Sequence, residues 1–139
     1  MKPRYPIVLL IFVSLFFSCK KLIQQQEEKA AISIITNGFW YVQFYQQNDS
    51  DITASFSGYL FKFDGDGIVT GTKDSVAVKG TWSTNIAARA VITNFPTAVA
   101  PVKYLNETWK ITDSYTDSVV ANSKDSIDNT SNILHLHKL

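Results

Sequence analysis

From Gly38 onward, apolar and polar positions alternate with a period of two, the spacing of a pleated strand with one buried face. Trp40, Val42 and Phe44 fall on one side of the first such segment, with Tyr41, Gln43 and Tyr45 on the other. Tyr59, Phe61 and Phe63 alternate with Leu60 and Lys62. Val76, Val78, Gly80 and Trp82 alternate with Ala77, Lys79, Thr81 and Ser83, the cleanest half-buried strand in the chain. Trp109 and Ile111 alternate with Thr108, Lys110 and Thr112, and Leu134 and Leu136 with His135 and His137. Ile68–Thr72, Ala88–Phe95 and Ser118–Ala121 are weaker strands. About eight short strands separated by turn residues predict an all-β sandwich or barrel.

The turns favour sequential pairing. Asp64-Gly65-Asp66-Gly67 supplies the positive φ that a tight hairpin needs, and Lys73-Asp74 and Asn85-Ile86 are further short links. Pro96 to Pro101 is a longer break, and Asn122 to Asn132 reads as a polar loop. Antiparallel strands joined in order by short links predict a short up-and-down β-barrel. An immunoglobulin-like sandwich is the rival, with longer crossovers and a Cys…Trp…Cys pattern that this chain lacks.

The period changes ahead of Gly38. Lys2 and Arg4 precede an apolar run from Ile7 to Phe17, followed by Ser18 and the chain's single cysteine, Cys19. A charged start, a short apolar stretch and a small residue before the cut form the pattern of a secretory signal peptide. The apolar run is too short for a bilayer span, which takes roughly 20 residues. Cys19 directly after the cut resembles the lipobox of a bacterial lipoprotein, in which it would open the mature chain and carry lipid. Stable anchoring requires more than one acyl chain at about 0.8 kcal/mol per buried methylene, which lipidation of the bacterial type provides. An acylated Cys19 also leaves no disulfide, so the fold rests on its core. The division is thus residues 1–18 as leader, 19–36 as a lipidated tether, and 37–139 as the barrel domain. Within the tether, Gln24 to Ala31 are fair helix formers, so a flexible start is expected to merge into a short helix.

Without Lys2 and Arg4, thirteen basic side chains become eleven against twelve acidic, a net of −1. That excludes a nucleic-acid partner recognised by a basic face. The chain behind the leader is enough for one core, to which Trp40, Trp82 and Trp109 are the natural contributors.

Several segments resemble lipocalin-like (calycin-type) lipoproteins of Bacteroidetes. Gly38-Phe39-Trp40 is similar to the Gly-x-Trp that opens a lipocalin's first strand. The stretch Tyr59 to Val69, Gly80-Thr81-Trp82-Ser83 and Leu105 to Ile111 are similar to segments of those lipoproteins in the same order. The resemblance covers about residues 38–112 and implies a barrel in the bacterial cell envelope, at the outer membrane. A run of acidic residues just after the lipidated cysteine resembles a surface-export signal of Bacteroidetes; Lys20-Lys21 in that place favours a periplasm-facing anchor. The last strand has no arginine of the kind that packs over the first tryptophan in lipocalins.

Candidate chemistry is sparse. Asp64-Gly65-Asp66-Gly67 starts like a calcium loop, but the sixth and twelfth positions, which need Gly and Glu, are Val69 and Ser75, so a hairpin turn is expected. His135 and His137 share one side of the last strand and lack a third ligand, so no metal is assigned. No Gly-x-Ser-x-Gly elbow or carboxylate pair points to catalysis, and neither an enzyme activity nor a cofactor is expected. Ser75, Ser118 and Ser126 lie in Asp-Ser-apolar triplets that resemble the O-glycosylation acceptor of Bacteroidetes.

Two functions remain. A binding module would hold a small hydrophobic ligand at a mouth lined by Tyr41, Tyr45, Tyr59 or Tyr104. A structural or interaction lipoprotein, with a side-chain-filled barrel, would meet an envelope protein through its loops.

Overall fold

The computed structural model describes the backbone of residues 6–125 and 127–139 and the side chains from residue 20 onward, residue 126 excepted. One helix, α1 (Pro6–Thr36), precedes β1 (Trp40–Gln47), β2 (Ser50–Asp51), β3 (Leu60–Phe63), β4 (Ile68–Lys73), β5 (Val76–Asn85), β6 (Ala90–Asn94), β7 (Thr108–Ser114), β8 (Ser118–Lys124) and β9 (Ser131–Lys138). Each long strand pairs antiparallel with the next, and β9 returns to β1 in register from Trp40–Lys138 to Gln47–Asn132. β2 is only a two-residue extension paired with the end of β1, so eight strands close the wall. The up-and-down barrel expected from the alternation is therefore the fold, and closure removes the free sheet edges that a sandwich would keep. The thinnest seam is between β1 and β3, registered only at Trp40–Phe61.

Turn chemistry explains the hairpins. Gly67 has φ +87° and donates its N–H to the Asp64 carbonyl at 3.1 Å, while the Asp66 carboxylate accepts from Ile68 N–H at 3.0 Å. Asp74 and Ser75 both have positive φ, the requirement of a two-residue turn that matches strand twist. Gly80 answers a different need: a Cβ there would lie 2.4 Å from the Asn94 carbonyl oxygen, so glycine lets β6 approach β5. The polar loop after β8 is shorter than expected, because pairing of β8 with β9 continues to Lys124–Ser131.

Strict alternation fails once in β1. A bulge lies between Val42 and Phe44, opposite Leu136 and His135 of β9. An extra residue moves the following side chains to the other face. Trp40 and Val42 point inward as expected, but beyond the bulge Tyr45 is the buried residue, at 0% exposure, and Phe44 lies against the His135 ring on the outside.

One end of the barrel is plugged. Short 3₁₀ turns at Thr53–Phe56 and Val102–Leu105 place Phe56, Val102 and Leu105 in the core. Tyr45 stacks on Phe56 with ring centroids 5.2 Å apart, meets Trp109 edge-on at 5.8 Å, and donates its hydroxyl to the Tyr104 carbonyl at 2.7 Å. The Asn106 side chain accepts from Phe95 N–H at 2.6 Å and donates to the Phe95 carbonyl at 3.2 Å, tying this plug to the end of β6.

The opposite end meets α1. Residues 20–36 are helical throughout, where a flexible start was expected, and α1 continues unbroken across the predicted cleavage point. The last turn of a helix leaves carbonyls without intrahelical partners. Here the Trp40 indole N–H donates to the Ile35 carbonyl at 2.9 Å, and the Lys62 ammonium to that of Thr36. Lys62 also brings positive charge to the negative end of the helix dipole. Lys138 of β9 sits 5.1 Å above the Trp40 ring. The basic residue over the first tryptophan is thus present, as lysine instead of arginine.

Candidate functional site: a cavity at the helix-covered end

The interior is not filled. A cavity of about 720 Å³ lies between the plug and α1. Trp109, Leu105 and Phe95 line its deep end. Phe61 and Phe63 of β3, Val91 of β6, Ile111 of β7, Val119 and Ala121 of β8, and Leu134 and Leu136 of β9 form the wall. Trp40 and the helix residues Ala31, Ile34 and Ile35 cover it. Ala90 and Ala121 put small side chains into this lining.

The mouth is polar. Thr84, Ile86 and Arg89 come from the β5–β6 hairpin, and Ser114, Tyr115 and Thr116 from the β7–β8 hairpin, with Glu27 on α1. Among the described residues, Arg89 and Glu27 are the charged members of the lining, and neither is in an ion pair. Beyond the mouth, Lys21, Gln24, Gln25 and Glu28 run along the β5–β6 hairpin across a shallow groove. An apolar chamber with a few polar groups at its entrance is the usual form of a small-molecule site, and its volume falls in the range of about 300–1,000 Å³.

The four tyrosines proposed for the mouth are not in it. Tyr41 lies on the outer face beside His137, with ring centroids 5.8 Å apart. Tyr45 is turned inward by the bulge but belongs to the plug, where burial, with Glu107 and Tyr104 nearby, pushes its phenol well above the usual range. Tyr59 is half-buried between Phe56 and Phe61 under Lys73. Tyr104 is half-buried on the second 3₁₀ turn beside Lys103. The tyrosine at the mouth is Tyr115, 62% exposed, whose hydroxyl donates to Asp113. Arg89 is the only arginine after Arg4, a compositional oddity that sequence reading passed over.

His135 and His137 are half-buried on the outer face, opposite Leu134 and Leu136, and His137 Nε2 is 3.8 Å from the Asp117 carboxylate. No cluster of three or more metal-ligating side chains forms among the described residues. The Asp64–Gly67 segment is the β3–β4 turn. Ser75 is exposed at the β4–β5 turn, Ser118 is half-buried at the start of β8, and Ser126 lies outside the described residues. Cys19 falls within α1, with its side chain outside the described part. No helix among the described residues is long and apolar enough to cross a membrane.

The closed barrel has a counterpart among solved structures. The fold is similar to that of a DUF4847 family protein from Bacteroides vulgatus ATCC 8482. The match has a TM-score of 0.52 and 15% sequence identity, covering 75% of this chain and 95% of that one. At that identity the likeness carries the architecture, and the relative, a domain of unknown function, supplies no ligand. No protein-family model matches the sequence, and no curated protein does.

Proposed function

We propose that this chain is a lipid-anchored binding protein of a bacterial envelope that carries a small apolar molecule inside its barrel. The observation that supports binding over the filled-barrel alternative is the chamber of about 720 Å³, walled by aromatic and aliphatic side chains and open at a polar mouth. Burying a ligand there removes apolar surface from water at about 25 cal/mol per Å², with little rearrangement of an interior already formed. The Ser18-Cys19-Lys20-Lys21 context supports the anchor and its periplasmic side. In this reading the protein holds its ligand unchanged.

Native mass spectrometry of protein purified from its own host tests the whole reading. A co-purified small molecule, released on unfolding, is the expected result. An empty barrel that also ignores apolar probes would leave the interaction role. The unfolded mass should exceed that of residues 19–139 by a lipid, and a further hexose-type increment, traced to Ser75, Ser118 or Ser126 by peptide fragmentation, would be the mark of glycan. A thiol free to react at Cys19 would remove the anchor.

A further inference from the structure

The chamber's roof is fastened at one end. From Lys20 to Ala30 the side chains of α1 are exposed, and none from Ala31 to Thr36 is fully buried. Ala31, Ile34 and Ile35 form the ceiling, while Glu27 stands on the rim, so α1 borders both roof and mouth. The chain rejoins the barrel at Phe39, whose carbonyl accepts from Leu139 N–H at 3.0 Å. Between Thr36 and Phe39 lie Asn37 and Gly38, both exposed, and Gly38 has φ +85°. A Cβ at Gly38 would meet nothing nearer than the Lys138 Cδ at 3.9 Å, so glycine there serves the backbone and not a close approach.

Two groups mounted on the barrel hold the fastened end. Trp40 is registered against Phe61 and Lys138 and lies beneath the Lys138 ammonium, and its indole N–H reaches the Ile35 carbonyl at 2.9 Å. Lys62 of β3 reaches the Thr36 carbonyl with its ammonium. Both acceptors belong to the last turn, whose carbonyls have no partner inside the helix. Releasing them therefore breaks no bond within α1, and the Thr36 hydroxyl keeps its own bond to the Ile32 carbonyl at 2.7 Å. We propose that α1 is a hinged lid: it swings about Asn37-Gly38 to admit a bulky apolar molecule, and Trp40 and Lys62 latch it shut. The barrel strands stay paired during the swing, and the mouth widens because the helix forms one side of it. Elements that admit ligands come from the less stable parts of a fold, and a helix with no fully buried side chain among those described is such a part. The lid takes its purpose from the binding reading above, but its opening is measured without a ligand.

Ala121→Cys puts a thiol into the chamber lining, and N-(1-pyrenyl)maleimide is an apolar reagent of ligand size. Labelling at residue 121 is read by peptide mass, whatever the state of Cys19. Lys62→Met keeps the apolar stem and removes the ammonium. It should quicken labelling about tenfold, the worth of one charge-assisted bond. Gly38→Ala should quicken it as well, because alanine resists φ +85° in the closed form and escapes it in the open one. A thiol in the plug, Val102→Cys, should stay unlabelled in both backgrounds. Equal rates at residue 121 with and without the latch would mean entry between the hairpins and would overturn the lid. Parallel acceleration at residues 121 and 102 would mean that the helix leaves only when the whole fold opens, and would overturn it too. In the unaltered protein, amide protons of residues 33–36 should exchange more than about tenfold faster than those of β9, since an undocked helix end frays; equal protection counts against the lid. A residue 121 that answers to the latch in a protein that binds no apolar molecule would sink the binding reading and leave the lid.

Discussion

Replacing Ala121 by leucine tests the cavity without any ligand. Ala121 is 2% exposed on β8, between Ile111 of β7 and Leu134 of β9, and faces the empty space. In a filled barrel the three added carbons would have no room, and overpacking costs about 1–3 kcal/mol. In a chamber of about 720 Å³ the same carbons meet apolar walls. At about 0.8 kcal/mol per methylene they contribute about 2.4 kcal/mol. Fixing the leucine rotamer takes back about 0.5–1 kcal/mol. The expected net is a gain of about 1.5 kcal/mol, opposite in sign to the filled-barrel outcome. Urea titration followed by tryptophan fluorescence reads it, with an unchanged m value confirming that the two-state transition is the same. The variant should also bind apolar probes more weakly, because it occupies their space. A loss of stability greater than about 1 kcal/mol would mean that the interior around Ala121 is packed, and the argument for a chamber would collapse.

Trp82→Ala should cost about 3–5 kcal/mol, since the ring is buried, meets Phe63 edge-on at 5.6 Å and donates its N–H to the Asp64 carbonyl at 2.8 Å; a loss below about 1 kcal/mol in the same titration would mean that the inward face of β5 is misassigned. Burial raises the Tyr45 phenol, so the stability it contributes is complete below the ordinary phenol value near 10 and falls as pH rises above it; Tyr45→Phe should flatten the alkaline fall in thermal stability, and an unaltered profile would refute the buried placement. Glu107 is raised by burial and by Asp125 and Asp128, so its carboxylate disfavours the fold once ionised. By linkage that penalty is absent well below the ordinary carboxylate range and grows as pH rises through it. Glu107→Gln should therefore raise the melting temperature at pH 7 and leave it unchanged at pH 3, whereas equal shifts at both would point to a packing effect.

Strand identity was legible because it depends on neighbours two residues apart. Even the weaker segments proved to be strands: Ile68–Lys73, Ala90–Asn94 and Ser118–Lys124 all lie in the wall. Which residues face inward was legible only while the period held. The bulge after Val42 has no composition signal, and it moved Tyr45 from the expected mouth to the buried plug and Phe44 to the outside. The other three tyrosines were placed by their chemistry, not by position, and nothing in a period of two says at which end of a barrel a residue will lie. A filled barrel and a chambered one also share the same alternation. The difference comes from how side chains from opposite strands meet across the interior, and that is not encoded along any one strand.

The roof is the clearest case of this limit. Residues 20–36 read as a polar tether because a run of Gln, Glu and Lys separates Leu22 and Ile23 from Ile32, Ile34 and Ile35, and a helix with so weak an apolar face does not announce a docking surface. What holds it is long-range: the indole of Trp40 and the ammonium of Lys62 close its last carbonyls, and the cavity opens beneath them. The same helix contains Cys19. At 1.5 Å per residue, the twelve residues from Cys19 to Ala31 span about 18 Å. A lipid on Cys19 would therefore set the mouth no more than about 18 Å of helix from its anchor, with Glu27 and Arg89 at the entrance. Such a separation would let a small apolar molecule leaving the bilayer cross little water before reaching Trp40 and Phe61. Anchor and roof would then be consecutive parts of one element above walls built by the strands, which is why a segment without chemistry of its own bears on function.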